Sequence, residues 1–81
     1  MPFVYIVRCA DGSLYTGWTT DLARRVAQHN AGRGSHYTRT HRPVELIYQE
    51  EVSNRSAAMR RERALKKLDR ERKERLIADG R

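Results

Sequence analysis

The fold depends most on residues 3–18, which read FVYIVRCADGSLYTGW. Residues 3–9 are rich in β-branched and aromatic side chains, and residues 13–18 have a similar character, so both segments are typical of strands. The three residues between them, Ala-Asp-Gly, have the composition of a tight turn, because aspartate and glycine tolerate the backbone conformations that turns require. The stretch therefore predicts a β-hairpin.

The length of the hairpin loop decides which side chains share a face of the sheet. With a two-residue turn, Tyr5 and Tyr15 would point to opposite faces. With a three-residue loop and Gly12 in the left-handed conformation, Tyr5 lies opposite Gly17 and shares a face with Tyr15. We expect the second register, because Gly17 then leaves space above the sheet beside Tyr5.

Helix caps and hydrophobic periodicity predict further elements after the hairpin. Residues 19–21, Thr-Thr-Asp, form an N-cap cluster, and Gly32 has the position of a C-cap glycine. The segments, in order, are a helix from Leu22 to His29 or Ala31, a polar and basic loop over 32–42, a strand over 44–49, a helix over about 56–68 and a helix over about 69–78. The predicted element order is therefore ββαβαα.

Length and composition limit the class of protein. A chain of 81 residues has the size of one domain, which we assign to residues 1–81. Cys9 is the only cysteine, so an internal disulfide and a cysteine-based zinc site are excluded, and a reducing, cytoplasmic location is expected. The sequence has no apolar run long enough to span a membrane and no secretory-signal pattern.

The charge points to a polyanionic partner. Seventeen Lys and Arg against ten Asp and Glu give a net charge of +7, and residues 53–81 carry most of the excess. A basic surface of this kind favours nucleic acid, and we expect no membrane partner. The alternative is a solvated basic helix without a binding role.

One helix face breaks the expected apolar pattern. Leu22, Arg25, Val26 and His29 share a face by helical spacing, so an arginine and a histidine lie where apolar residues are expected. Conflicts of this kind between pattern and chemistry tend to mark functional sites.

Five side chains at ordered spacings resemble a known family. Residues 3–5 (Phe-Val-Tyr) precede residues 15–17 (Tyr-Thr-Gly), followed by Arg25, His29 and a helical Glu62. This set resembles the GIY-YIG nuclease superfamily, and most closely its small stand-alone, single-domain members. The resemblance implies an α+β fold (an α/β sandwich) with a three-stranded, mainly antiparallel sheet flanked by helices. It also implies hydrolysis of phosphodiester bonds in DNA with the help of a metal.

The resemblance also implies the roles of individual residues. The catalytic residues would be Tyr5, Tyr15, Arg25 and His29, and Glu62 would hold one Mg²⁺ or Mn²⁺ ion. The sequence departs from the pattern at Phe3, where the family has glycine, and at Trp18, where some repair-type members have lysine. We expect no separate DNA-binding domain of the kind that homing and repair relatives carry.

These residue types suit phosphodiester hydrolysis on chemical grounds. Arg25 offers a planar, permanently charged group to a phosphate, and one carboxylate can hold a Mg²⁺ ion that keeps most of its waters. A tyrosine can act as a base only if Arg25 and the metal lower its pKa from ~10, or if the proton moves through His29. The residues leave open which tyrosine accepts a proton. A zinc site made by His29, His36 and His41 is an alternative, although its spacing matches no zinc-finger pattern.

Contacts to nucleic acid outside the site are expected to be electrostatic and almost independent of sequence. The sequence contains no base-reading helix pattern, so selectivity for strand shape is expected, with branched, gapped or single-stranded DNA as the partner. A protein partner could supply targeting. The candidate contacts are Arg33, Arg39, Arg42, Arg60, Arg63, Lys66 and Lys67.

The leading hypothesis is therefore a metal-dependent, structure-selective endonuclease acting on DNA, in repair or recombination. The first alternative is a nucleic-acid-binding module of the same fold that is weak or inactive without a partner. The second alternative is a basic protein that binds RNA or ribosomes, which a preference for RNA over DNA of equal length would indicate.

Overall fold

A computed structural model of the chain describes residues 1–80. Arg81 lies outside the described residues, and the assignment of one domain to residues 1–81 stays a prediction. The elements are β1 (Phe3–Arg8), β2 (Leu14–Thr19), α1 (Leu22–Asn30), α2 (His36–Arg39), β3 (Glu45–Glu51), α3 (Arg55–Lys66) and α4 (Arg70–Asp79).

The three strands form one antiparallel sheet with the spatial order β2-β1-β3. The expected α+β fold, with a three-stranded antiparallel sheet and flanking helices, is confirmed. β1 is central and pairs with both neighbours, so β2 is left as an edge strand that borders the helices on either face.

The hairpin has the register that the sequence predicts. Tyr5 lies opposite Gly17, and Val7 lies opposite Tyr15, which puts the two tyrosines on one face of the sheet. Gly12 has a φ of 87°, the left-handed conformation that a three-residue loop requires. The hairpin therefore carries one tyrosine of the candidate site on each of its strands.

The two faces of the sheet pack against different helices. On one face Tyr5, Val7 and Cys9 are buried, with Leu22 of α1 packed against them. On the other face the buried side chains of Val4, Ala58 and Leu65 join β1 to α3, with Trp18 and Leu76 packed against this cluster. The sheet is thus the middle layer of the molecule, and a side chain at the β2 edge can reach both outer layers.

The loop predicted over 32–42 contains a helix that the sequence did not reveal. α2 is a single turn whose N-cap, Ser35, accepts a hydrogen bond from the Thr38 backbone N–H at 3.1 Å. One turn is too short to produce a hydrophobic period, so periodicity could not predict it. The helix predicted to end at Leu68 ends instead at Lys66.

Two contacts fix the chain after α1. Gly32 has a φ of 84°, and the Arg33 N–H donates to the Gln28 carbonyl oxygen at 2.8 Å, which together form a Schellman turn. The Asn30 side chain accepts from the Val44 N–H at 2.7 Å and donates to the Val44 carbonyl oxygen at 3.1 Å. The loop is therefore held at both ends, over the face that carries the tyrosines.

Arg61 lies at the edge of the apolar face of α3. Its Nε lies 2.6 Å from Oε1 of Glu50 on β3, so a half-buried ion pair accounts for its position. Among residues 1–80, no helix is long and apolar enough to cross a membrane.

Candidate active site

Tyr5, Arg25 and His29 meet above the sheet face that carries both tyrosines. The Tyr5 hydroxyl lies 2.7 Å from Nε2 of His29, and Nε of Arg25 donates to the same hydroxyl at 3.4 Å. Arg25 and His29 are one helical turn apart on α1, so the helix directs both toward the phenol. Nδ1 of His29 lies 2.7 Å from Oγ1 of Thr38 on α2.

The arginine fixes the direction of these hydrogen bonds. A guanidinium has only donors, so the Tyr5 oxygen accepts from Arg25. Among the described residues, the buried Tyr5 hydroxyl has one acceptor within reach, Nε2 of His29, and it donates its hydrogen there. His29 is therefore protonated on Nδ1 and donates to Thr38, so a directed chain of hydrogen bonds leads from Arg25 on α1 to Tyr5 on β1, back to His29 on α1 and on to α2.

Burial keeps both central groups of this chain uncharged near neutral pH. Tyr5 is 1% exposed, and desolvation raises the pKa of its phenol even though the Arg25 charge acts to lower it. His29 is fully buried, and desolvation, helped by the Arg25 charge, lowers the pKa of its imidazole from 6.5 to about 4. At Tyr5, burial therefore outweighs the lowering effect of Arg25 on the pKa of the phenol.

Tyr15 lies on the same face but is only half-buried. Its ring meets His29 edge-on at 5.4 Å between centroids and stacks on Tyr37 at 6.1 Å. Nζ of Lys66 lies 5.9 Å from the centre of the Tyr15 ring. Tyr15 is thus the tyrosine that borders the open side of the site, next to α3.

The Arg25 guanidinium is held by three partners and keeps free donors. Besides Tyr5, it donates to Oε1 of Gln28 at 3.3 Å and to the Gly34 carbonyl oxygen at 3.1 Å. A guanidinium has five N–H groups, so about two remain for a ligand. The side chain is therefore oriented in advance, which is what tight recognition of a phosphate requires.

Glu62 reaches the site from the other helical layer. Its side chain is 23% exposed, and its Oε2 lies 3.3 Å from Nζ of Lys66. The carboxylate is close enough to Tyr5 for its charge to contribute to the raised pKa of that phenol. A single carboxylate fits Mg²⁺, which commonly binds one or two carboxylates plus waters and phosphate oxygens.

A multi-ligand protein cage for a metal is not present within residues 1–80. That part of the chain contains no group of three His, Cys, Asp or Glu side chains placed to hold one ion together. His29 cannot serve as a ligand in this arrangement, since both of its ring nitrogens are engaged by hydroxyl groups.

Two glycines make room for the site. A Cβ atom on Gly17 would lie 2.6 Å from the Tyr5 hydroxyl, so the space that Gly17 leaves above the sheet is filled by the Tyr5 side chain itself. A Cβ atom on Gly34 would collide with the His29 ring, so only glycine allows the loop to pass there.

Sequence reasoning missed the residues that support the site from the loop. Gln28, Gly34, Ser35 and Thr38 contact Arg25 or His29, directly or through one another. The signal that could have identified part of this set is Ser35 three residues before Thr38, the spacing of a capping box, which the structure contains.

The predicted nucleic-acid contacts divide into two regions. Arg33 and Arg39 border Gly34 and therefore lie near Arg25, whereas the Arg42 side chain folds back to donate to the carbonyl oxygens of Arg39 and Asn30. The cations on α3 and at its C-cap are exposed: Arg60, Arg63, Lys66 and Lys67. Of these four, Lys66 contacts the candidate site, and Arg60 lies beside Arg61 on the side toward β3.

Comparison with known proteins identifies the family. Residues 1–75 match the family model of the GIY-YIG catalytic domain. The chain belongs to the GIY-YIG family. The resemblance that the sequence suggested is confirmed, and GIY-YIG domains are generally endonucleases, a class of hydrolases that takes DNA as substrate.

Similar proteins cover almost the whole chain. A UPF0213 protein of Natronomonas pharaonis is 54% identical over 95% of this chain and 91% of the relative, and one of Staphylococcus haemolyticus is 53% identical over 95% and 94%. Among solved structures, the solution NMR structure of a UPF0213 protein from Bacillus halodurans has a TM-score of 0.61 and 43% identity, covering 96% of this chain and 84% of that one. The chain is thus similar to UPF0213 proteins within the GIY-YIG family.

Proposed function

We propose that this GIY-YIG protein is a Mg²⁺- or Mn²⁺-dependent endonuclease that hydrolyses phosphodiester bonds in DNA. The observation that carries the proposal is the convergence of Tyr5, Tyr15, Arg25 and His29 on one sheet face, with Glu62 beside them. The biological setting we infer is DNA repair or recombination, in which gapped and branched strands arise.

The arginine and the metal would share the phosphate. The free N–H groups of Arg25 would bind the non-bridging oxygens and balance the charge that develops in the transition state. Glu62 would hold the divalent ion, which when bound would supply an activated water and further charge neutralisation. Lys66, paired with Glu62 at 3.3 Å, would move aside when the ion binds.

We propose different roles for the two tyrosines. Tyr15 borders the open side of the site, so its hydroxyl is the one placed to meet water or phosphate. Tyr5 is buried and donates its hydrogen to His29, so it would act as a positioning residue for Arg25. His29 would act through Tyr5 and Tyr15, because neither ring nitrogen faces solvent.

The exposed cations support binding without sequence preference. Backbone phosphates are the natural partners of Arg33, Arg39, Arg42, Arg60, Arg63, Lys66 and Lys67, and such contacts carry no sequence information. We therefore propose that the protein selects strand shape, with single-stranded, gapped or branched DNA preferred to an intact duplex.

The test is cleavage of plasmid, gapped and branched DNA with and without Mg²⁺. Wild type should cleave only with the ion, and Glu62→Ala should show only background. Arg25→Ala should lower kcat by roughly 10²–10³-fold and weaken DNA binding much less. Matched controls are Glu71→Ala and Arg72→Ala on α4, both exposed and distant in sequence from the site. Equal background in wild type and Glu62→Ala would refute the catalytic proposal.

One observation favours a second candidate function, a DNA-binding module that is inactive without a partner. The Lys66 ammonium is paired with the Glu62 carboxylate that would bind the metal, so the lysine and the metal ion compete for it. Retention of DNA without products, at every Mg²⁺ concentration and also in the Lys66→Ala variant, would support this candidate over the nuclease.

A further inference from the structure

We propose that a cavity beside the active site binds a second phosphate of the same nucleic-acid strand. The cavity has a volume of about 330 Å³ and lies between the end of β2 and the first turns of α1 and α3. Its lining includes Trp18, Asp21, Arg24, Arg25 and Arg55, and we call it the Trp18 cavity. The proposal deepens the proposed nuclease function and rests on it for the identity of the ligand.

The positive charge around the Trp18 cavity favours binding of an anion. Among residues 1–80, none of the three arginines has a carboxylate within ion-pair distance. Asp21 also lines the cavity, but its carboxylate accepts the Arg24 backbone N–H at 3.1 Å and so caps α1. Three guanidinium groups around one carboxylate leave a surplus of positive charge, which an incoming phosphate would neutralise.

Trp18 holds one of these arginines in place. The guanidinium carbon of Arg55 lies 5.9 Å from the centre of the Trp18 ring, a cation–π distance. The ring also packs against the core cluster formed by Val4, Ala58 and Leu65. Arg55 is therefore anchored to a supported surface although it is exposed, which reduces the entropy lost when it binds a ligand.

The chemistry favours a phosphate over a stacked base. The Trp18 ring is already in contact with the core and with Arg55, so little of its surface is left for a base. Guanidinium groups, in contrast, match the geometry of phosphate oxygens. The ligand class is therefore the phosphodiester backbone of a nucleic-acid strand.

The position of the cavity fits a strand that continues past the cleaved bond. Arg25 borders both the Tyr5 hydroxyl and the Trp18 cavity. On α3, Arg55, Glu62 and Lys66 are spaced by seven and four residues, so they share one face of the helix. A strand whose scissile phosphate lies between Arg25 and Glu62 would thus bring a neighbouring phosphate to Arg24 and Arg55.

The test uses Trp18 as its own reporter, because it is the only tryptophan in the sequence. Trp18 fluorescence is titrated with short oligothymidylate and with an abasic strand of the same length, in the presence of EDTA so that no cleavage occurs. We expect both strands to change the fluorescence with similar affinity, since the phosphates are common to both. A change with the base-containing strand alone would overturn the proposal in favour of base stacking.

Single arginine variants give the second arm. Arg24→Ala and Arg55→Ala should each weaken binding roughly tenfold and reduce the salt slope of log K by about 0.7, the loss of one phosphate contact on a single strand. The control Arg72→Ala, on exposed α4, removes the same charge elsewhere and should leave the affinity within about twofold of wild type. Equal effects of all three variants would show general electrostatics and overturn the site.

This experiment separates the two proposals. Because it is performed without metal, binding at the Trp18 cavity can be present in a protein that never cleaves DNA, in which case only the nuclease proposal fails. Metal-dependent cleavage together with unchanged affinity in Arg24→Ala and Arg55→Ala would support the nuclease proposal and refute phosphate binding at the Trp18 cavity.

Discussion

Gly17 is the residue on which the position of Tyr5 depends. A Cβ atom there would lie 2.6 Å from the phenolic oxygen and 2.8 Å from the ring carbon that bears it. Tyr5 is enclosed by the core, so it can give way only by breaking its bonds to Arg25 and His29. Gly17→Ala should therefore lower the free energy of unfolding by about 1–3 kcal/mol and also abolish cleavage.

Gly12→Ala separates these two effects. Gly12 has open space around its Cα but a positive φ, so alanine there is strained without touching the site. Urea unfolding should show a loss of stability in both variants, while cleavage should be lost only in Gly17→Ala. Full activity in Gly17→Ala would show that Tyr5 does not hold Arg25 in place.

The buried His29 makes stability depend on pH. The unfolded chain binds a proton on this histidine below about pH 6.5, whereas the folded protein does so only near pH 4. Between these values the unfolded state binds more protons, so stability should fall as the pH decreases, by at most about 1.4 kcal/mol per pH unit. Above pH 6.5 this contribution is fully present.

The check is the free energy of unfolding measured from pH 7 to pH 5. This range lies above the region in which Asp11, Glu50 and Glu74, whose carboxyl pKa values are lowered, would add a similar loss. His29→Gln should flatten the slope, and His36→Gln, on an exposed histidine, should retain it. An unchanged slope in His29→Gln would contradict the burial of a neutral imidazole.

At the scale of elements, the one-turn helix α2 supplies the acceptor that orients His29. Thr38 is fully buried and receives the hydrogen bond from Nδ1 of His29. Thr38→Val keeps the shape but leaves that N–H without an acceptor, which should cost about 1–3 kcal/mol of folding stability. Cleavage should fall as well, because His29 then loses its orientation.

Thr40→Val is the matched control for that substitution. Thr40 is exposed, and its hydroxyl donates to the Tyr37 carbonyl oxygen outside the chain of hydrogen bonds. Thermal unfolding should show little change for this variant. Equal losses in both valine variants would mean that the threonines act only through local helix geometry.

The parts of the fold that the sequence predicted are those that local chemistry decides. The N-cap at Asp21 accepts from a backbone N–H three residues away, and Gly12 sets the hairpin register by itself. What could not be predicted depends on distant residues. Thr38 reaches His29 across a loop, and Arg61 pairs with a carboxylate eleven positions earlier on another element.

The candidate site follows the same division. Arg25 and His29 share a helix face, so their proximity could be predicted from spacing alone. The burial of Tyr5, which raises the pKa of its phenol, could not be predicted, because it depends on how α1 packs over β1. The roles of the site residues stay predictions.

For the whole molecule, the net charge of +7 should control DNA affinity, and the structure indicates which cations matter most. Arg33 borders the loop that holds Arg25, while Arg60 lies beside Arg61, toward β3. Arg33→Ala should reduce the salt slope of log K for duplex DNA by about 0.9, and Arg60→Ala should reduce it less.

Fluorescence anisotropy with labelled duplex across a salt series measures both slopes under the same conditions. The two variants remove the same charge, so any difference between them reports position rather than net charge. A larger reduction in Arg60→Ala would place the DNA on the opposite side of α3.

The chain of hydrogen bonds through Tyr5 ties three elements to one another inside the core. The phenol comes from β1, the guanidinium and the imidazole come from α1, and the hydroxyl that orients the imidazole comes from α2, so the cluster is lost when any one of these elements separates from the others. Cleavage activity should therefore be lost in a single step. On heating, the activity and the circular-dichroism ellipticity should fall with the same midpoint, and no partly unfolded form should still cleave DNA.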